Sequence, residues 1–247
     1  LILELHNLYF CKMLVATKGI VFKSIKFQET SLIVKILTET HGLQTFMIKG
    51  VRSVKANGKA ANFQSGMLLD LIMYYQDHKS FQSLREYKST YIYTSVMDDI
   101  RKSCVLMFLI EVLSNCVQED KEDNQLYSFI ANSLINFDNN DFEVNFHLYF
   151  LLEFMKYLGI YPSGQRTQTQ PRFSLKDGDF TSFSSSNPFI LSDSQSILWN
   201  QLLHEEGLIL NKEERKEVLN IILNYYTFHI ENFKGIKSLK VLESILA

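Results

Sequence analysis

The chain has 247 residues, 46% hydrophobic and 21% charged, a balance that excludes wholesale disorder and suits one large domain or two small ones. Its net charge of −2 hides an asymmetry: residues 13–97 carry eleven Lys or Arg against five Asp or Glu, a net +6, and residues 98–247 carry thirteen against twenty-one, a net −8. Segregated charge is a cue to nucleic-acid contact and to two domains with different partners. No apolar run reaches the roughly 18–20 residues a bilayer span needs. Cys11, Cys104 and Cys116 are too far apart for a CxxC pair and odd in number, which favours packed thiols in a reducing compartment over a disulfide framework.

In chain order, residues 1–12 lack a basic start and a small-residue cleavage site, so they make a poor signal peptide. They are read as a non-native or disordered extension, with a genuine N-terminal extension as the alternative. Residues 17–59 organise the rest of the chain. Apolar and polar residues alternate from Ile20 to Ile25, and further strand-like runs lie at 31–37 and 44–50, separated by turns at Gln28-Glu29 and His41-Gly42. A basic, small-residue loop over 51–66 leads to two more strands, 67–76 and 80–89, joined by a turn at Asp77-His78-Lys79. Five strands with a long third connection predict an α+β protein whose N-terminal domain, residues 13–90, is an OB-type five-stranded barrel, closed at its edges; an SH3-like barrel competes.

Beyond residue 90 the period becomes helical. One helix comes after Asp98-Asp99 and carries Val105, Phe108, Leu109, Val112 and Leu113; others are predicted over 124–135, 142–158, 194–204 and 212–230, with a short amphipathic segment at the end. Residues 163–194 differ in composition and read as a small hairpin insertion, with Phe173, Leu175, Phe180 and Phe183 alternating. The predicted helical domain spans 91–247.

Catalysis finds little support. The six histidines are scattered, and HExxH, GxSxG and GxxxxGK[ST] are absent. Acidic clusters such as the run from Glu119 to Asp123 read as solvated helix ends. The stronger signal is basic: Lys23, Lys26, Lys35, Lys49, Arg52, Lys55 and Lys59 crowd the first domain, interleaved with Phe22, Phe27, Phe46 and Phe63. Cations neutralise phosphates and aromatic faces stack bases without regard to sequence. About half of those rings must be core, and Phe27, beside a turn, is the expected exposed one. The plainer alternative is that lysines on a half-exposed strand only keep it wet and guard its edges. Arg101 and Lys102 open an apolar helix, where the helix dipole disfavours cations; they are read either as a solvent-facing pair or as a partner-binding pair.

The run Gly19-Ile20-Val21, then Glu29-Thr30-Ser31, Thr38, Gly42 and Gly50-Val51-Arg52 resembles the N-terminus of the RecO recombination mediators, and the closing residues from His229 to Leu246 resemble that family's end. The resemblance covers residue 13 onward. It implies a non-enzymatic DNA-repair protein of the bacterial cytoplasm and nucleoid that binds single- and double-stranded DNA. It also implies RecR and the acidic C-terminal tail of single-strand DNA-binding protein as partners, strand annealing, and assistance to RecA loading. Many relatives hold zinc on four cysteines where this chain has its hairpin. Residues 163–194 contain neither Cys nor His, so a zinc-free branch with no cofactor is expected and the phenylalanines must hold the hairpin. Two readings from other classes stay open: a peptide-binding adaptor with no DNA role, and an unrecognised hydrolase.

Overall fold

The computed structural model describes residues 13–56, 58–77, 79–118, 122–182, 188–205 and 207–246. The N-terminal extension, Cys11, Asn57, His78, Glu119-Asp120-Lys121 and Phe183 lie outside the described residues. The chain divides into two compact units, Leu1–Asp98 with Val117–Asn139, and Asp99–Cys116 with Asn140–Ala247.

The first unit is built on five antiparallel strands: β1 (Met13–Phe27), β2 (Ser31–Thr38), β3 (Gly42–Ile48), β4 (Leu68–Tyr75) and β5 (Ser83–Tyr91), in the spatial order β3-β2-β1-β4-β5. β1 is long enough to pair with β4 through its first half and with β2 through its second, and a register shift between Val21 and Lys23 marks the change. Such a bulge bends and twists the strand, which curls the sheet. Gly19 sits at the crossing because a Cβ there would lie 2.5 Å from Ile36 and 2.7 Å from Leu71. The concave side buries Val21, Val34, Ile36, Phe46, Leu69, Leu71 and Met73, and Phe63 closes one end from a short 3-10 helix (Lys59–Phe63).

The edges do not seal as expected. Among the described residues β3 and β5 meet at an isolated parallel bridge between Phe46 and Gln82, where Gln82 N donates to Thr45 O (2.8 Å) and Met47 N to Gln82 O (3.2 Å). The element order is that of an OB-type sheet, but the anticipated closed barrel is corrected to a partly open one. The reason lies in the strands: β5 continues along β4, while β3 ends at Ile48 and turns away through Gly50, whose φ of 70° suits glycine.

Among the described residues two α-helices complete this unit, α1 (Ser95–Asp98) and α3 (Asn124–Asn139). Asp138 ties them together. Its buried carboxylate accepts from Val96 N (2.7 Å), Thr94 N (3.0 Å) and Tyr91 Oη (2.8 Å). Burial opposes ionisation, but these donors prevail and hold the acid below the usual carboxylate range.

The second unit contains α2 (Ile100–Cys116), α4 (Phe146–Leu158), α5 (Asp193–His204), α6 (Lys212–His229) and α7 (Leu239–Ile245), with the hairpin β6 (Arg172–Ser174) and β7 (Asp179–Thr181). Capping boxes start α5 (Ser192 with Gln195) and α6 (Asn211 with Glu214). Gly159, at φ 71°, ends α4. Phe173 pairs with Phe180 across the hairpin, and its ring lies 5.6 Å from Trp199 and 6.1 Å from Tyr225. Among the described residues no side-chain group could hold a metal, and no helix is long and apolar enough to cross a membrane.

Candidate nucleic-acid interface

The opening between β3 and β5 is a groove of about 620 Å³. Lys49, Lys55 and Lys59 line it from the loop after β3, and Leu84 and Tyr87 from β5; among the described residues no acid lines it. Lys49, Lys55 and Lys59 are exposed. Tyr87 is half-buried, with its ring 4.7 Å from that of Phe63, which is 1% exposed. Burial pushes the Tyr87 hydroxyl above its ordinary pKa, so it stays a neutral donor.

A second basic surface adjoins the β1–β2 turn. Lys23 is the cross-strand partner of Lys35, and Lys35 of Thr45, so all three project from one face of the sheet. The next row on that face is Ile25, Ile33 and Met47, and half-buried Phe27 comes next along β1. Lys26 alternates to the other face, beside Leu32, but at the sheet's end, where it is exposed. Arg52 joins the two surfaces: its backbone N donates to Thr30 O (2.9 Å) and its Nη1 to Gln28 O (3.3 Å), pinning the loop after β3 to the β1–β2 turn. Gln28 takes the turn at φ 51°.

Of the sequence-predicted set, Lys49, Lys55 and Lys59 line the groove, Lys23 and Lys35 share a sheet face with Phe27, Lys26 lies on the opposite face and Arg52 ties the loop after β3 to the β1–β2 turn. The predicted rings fare differently. Phe22, Phe46 and Phe63 are buried at 2%, 0% and 1%, and only Phe27 of the four reaches the surface. Tyr87 is the ring that sequence reasoning missed. Its signal was present but faint, an aromatic between charged residues in an otherwise polar strand. Elsewhere cations alternate with acids: Lys18 pairs with Asp70 and Asp70 with Lys88, beside Glu39 and Glu86.

In the second unit the structure separates Arg101 from Lys102. Arg101 is exposed, donates to Asp99 (2.6 Å) and lies 4.5 Å over the Phe142 ring. Its hydrogen bonds hold the Asp99 carboxyl down at about 2, so an acid does stand at this helix start beside the cation. Lys102 is buried at 3%, with Nζ donating to Asn140 O, and offers no surface charge. A different site lies between α6 and α7, a pocket of about 210 Å³ lined by Lys212, Arg215 and Lys216 around Leu219, Leu242 and His147, with Glu243 also in its lining and 3.6 Å from Lys216 Nζ.

Comparison with known proteins matches the chain to a pair of family models in succession, Recombination protein O N terminal over residues 13–93 and Recombination protein O C terminal over residues 97–240. The chain is 34% identical to the DNA repair protein RecO of Flavobacterium johnsoniae over 95% of its own length and 100% of the relative's. It is 35% identical to that of Christiangramia forsetii (94% and 99%) and 31% identical to that of Bacteroides fragilis (94% and 99%). With both models matched in order and relatives aligned end to end, the chain belongs to the RecO family of DNA repair proteins.

Proposed function

We propose that the chain is a recombination mediator without enzymatic turnover, acting in the bacterial cytoplasm on nucleoid DNA. Residues 13–90 bind single- and double-stranded DNA through phosphate contacts, and the helical part recruits RecR and single-strand DNA-binding protein. Held loosely by lysines that read no sequence, two strands can search for complementarity and anneal. Where binding protein is displaced, the exposed strand becomes available to RecA.

One observation carries this reading: three lysines and a tyrosine line a groove with no acidic residue among its described lining, and Arg52 ties the loop they lie on to the turn between β1 and β2, the strands that carry Lys23 and Lys35. The tail of single-strand DNA-binding protein ends in acidic and aromatic groups, by the family resemblance. The pocket over Leu219 and Leu242 offers Lys212 and Arg215 to such a tail, Lys216 being paired with Glu243, and Arg101, paired with Asp99 and set over Phe142, stays assigned to partners as an exposed cation.

The test is a titration of a fluorescent oligonucleotide at rising salt. Phosphate binding requires log K to fall linearly with log salt, by about 0.7 per contact for a single strand and about 0.9 for duplex. Affinity that barely changes between low and physiological salt rules the phosphate mechanism out. Retention of acidic peptides with no retention of DNA would instead establish the adaptor reading.

A further inference from the structure

The groove differs in kind from the rest of the basic surface. Around Lys23 and Lys35 the apolar neighbours are Ile25, Ile33 and Met47, and the one ring on that face among the described residues, half-buried Phe27, lies at the end of β1 two rows from the lysine pair. In the groove the charge surrounds an aromatic ring. Tyr87 rests on Phe63, itself immobilised in the core, and Lys49, Lys55 and Lys59 lie along the same opening. A ring held in advance gives up little conformational freedom when a ligand lands on it. Inside a duplex the face of each base is covered by its neighbours in the stack. An unpaired base presents a bare face and a flexible backbone that can follow a bend.

We propose that Tyr87 makes the β3–β5 groove selective for unpaired bases, stacking one base while Lys49, Lys55 and Lys59 hold the adjoining phosphates. The inference rests on the DNA-binding reading above and sharpens it. The β1–β2 face then holds phosphates of single strand and duplex alike. A base that enters a new pair withdraws from Tyr87, so annealing itself releases the product from the groove. The preference between strand types accordingly resides in one side chain on β5 and not in the number of lysines.

The experiment uses the full chain at fixed moderate salt with three probes of equal length: an oligothymidine, the same strand with abasic residues, and a blunt duplex. The wild-type protein should bind the abasic strand about tenfold more weakly than oligothymidine, within the range of a single base–aromatic stack. Tyr87→Leu should bind oligothymidine about tenfold more weakly and lose its discrimination against the abasic strand, with duplex affinity and salt slope unchanged. Tyr87→Phe should retain the discrimination. The proposal is overturned if the wild type binds abasic and normal strands equally, which needs no variant and so no assurance of folding. It is also overturned if Tyr87→Leu weakens strand and duplex alike or still discriminates. Those outcomes leave phosphate-mediated binding standing, whereas a wild type that binds none of the probes removes both readings.

Discussion

Lys23 on β1 and Lys35 on β2 stand directly opposite each other across the antiparallel ladder, immediately after the register shift at Val21. Like charges in that relation work against the sheet by a few tenths to about 1 kcal/mol. Lys23→Thr, which places a β-branched residue opposite Lys35, should therefore raise the unfolding free energy by about 0.5 kcal/mol. The same change should lower the DNA salt slope by about 0.7–0.9, one phosphate contact. Denaturant melts and salt titrations on one preparation check both signs together; a gain in stability with no loss in binding would assign the pair no part in the interface.

The lysines of the groove and Arg52 should separate in the same pair of measurements. Lys49, Lys55 and Lys59 are exposed side chains, and their joint replacement by Gln should leave thermal stability nearly unchanged while reducing the salt slope by about two to three. The Arg52 guanidinium, in contrast, donates to Gln28 O across the turn. Arg52→Gln should cost about 0.5–1 kcal/mol of stability, the ordinary worth of one such bond. It should also weaken binding by freeing the loop that carries the lysines. Arg52→Lys, which keeps the charge but not the fork that reaches Gln28, separates the two effects.

Much of this arrangement is legible in the chain. Alternation locates the strands, helical spacing locates α2 to α6, and the charge asymmetry singles out the unit with the groove. What alternation cannot supply is the partner across a distance. By sequence Phe63 resembles an exposed ring and Tyr87 an ordinary strand residue; the 3-10 helix instead folds Phe63 into the core, and Tyr87 lines the open seam against it. The seam itself depends on where β3 turns away from β5, a relation between strands far apart in the sequence. Arg101 and Lys102 read as one pair because they are adjacent, yet successive residues point about 100° apart on a helix. Lys102 consequently turns inward to Asn140 and Arg101 outward to Asp99 and Phe142.

The hairpin departs from the zinc-binding pattern that the family resemblance suggests as the common alternative. The Phe173, Phe180, Trp199 and Tyr225 rings cluster where β6 and β7 meet α5 and α6, and Tyr225 Oη donates to Ile160 O at 2.9 Å. Aromatic burial at this density is sufficient to hold a short hairpin. Incubation with a strong chelator should accordingly leave the melting temperature unchanged. Phe173→Ala, by opening a cavity among fully buried rings, should cost about 3–5 kcal/mol. A chelator-dependent fall in melting temperature would show that a metal contributes after all.

His147 supplies a pH signature for the second unit. Its ring is 2% exposed, set edge-on to Phe108 at 6.2 Å, and its Nδ1 has no hydrogen-bond partner. Burial, with a smaller contribution from the nearby Arg215 charge, pushes its pKa down to about 4. In the unfolded chain the imidazole returns to about 6.5, so between these values the unfolded state takes up a proton that the folded state refuses. Stability is then complete above about pH 6.5 and declines as the pH falls toward 4, by about 3 kcal/mol in all, since each pH unit between the two values contributes about 1.36 kcal/mol. His147→Phe keeps the aromatic packing and removes the titration, so its unfolding free energy should lose that component over the same interval. If the two proteins lose stability in parallel from about pH 6.5 to about 4.5, the loss originates elsewhere and His147 is not the group that charges on unfolding.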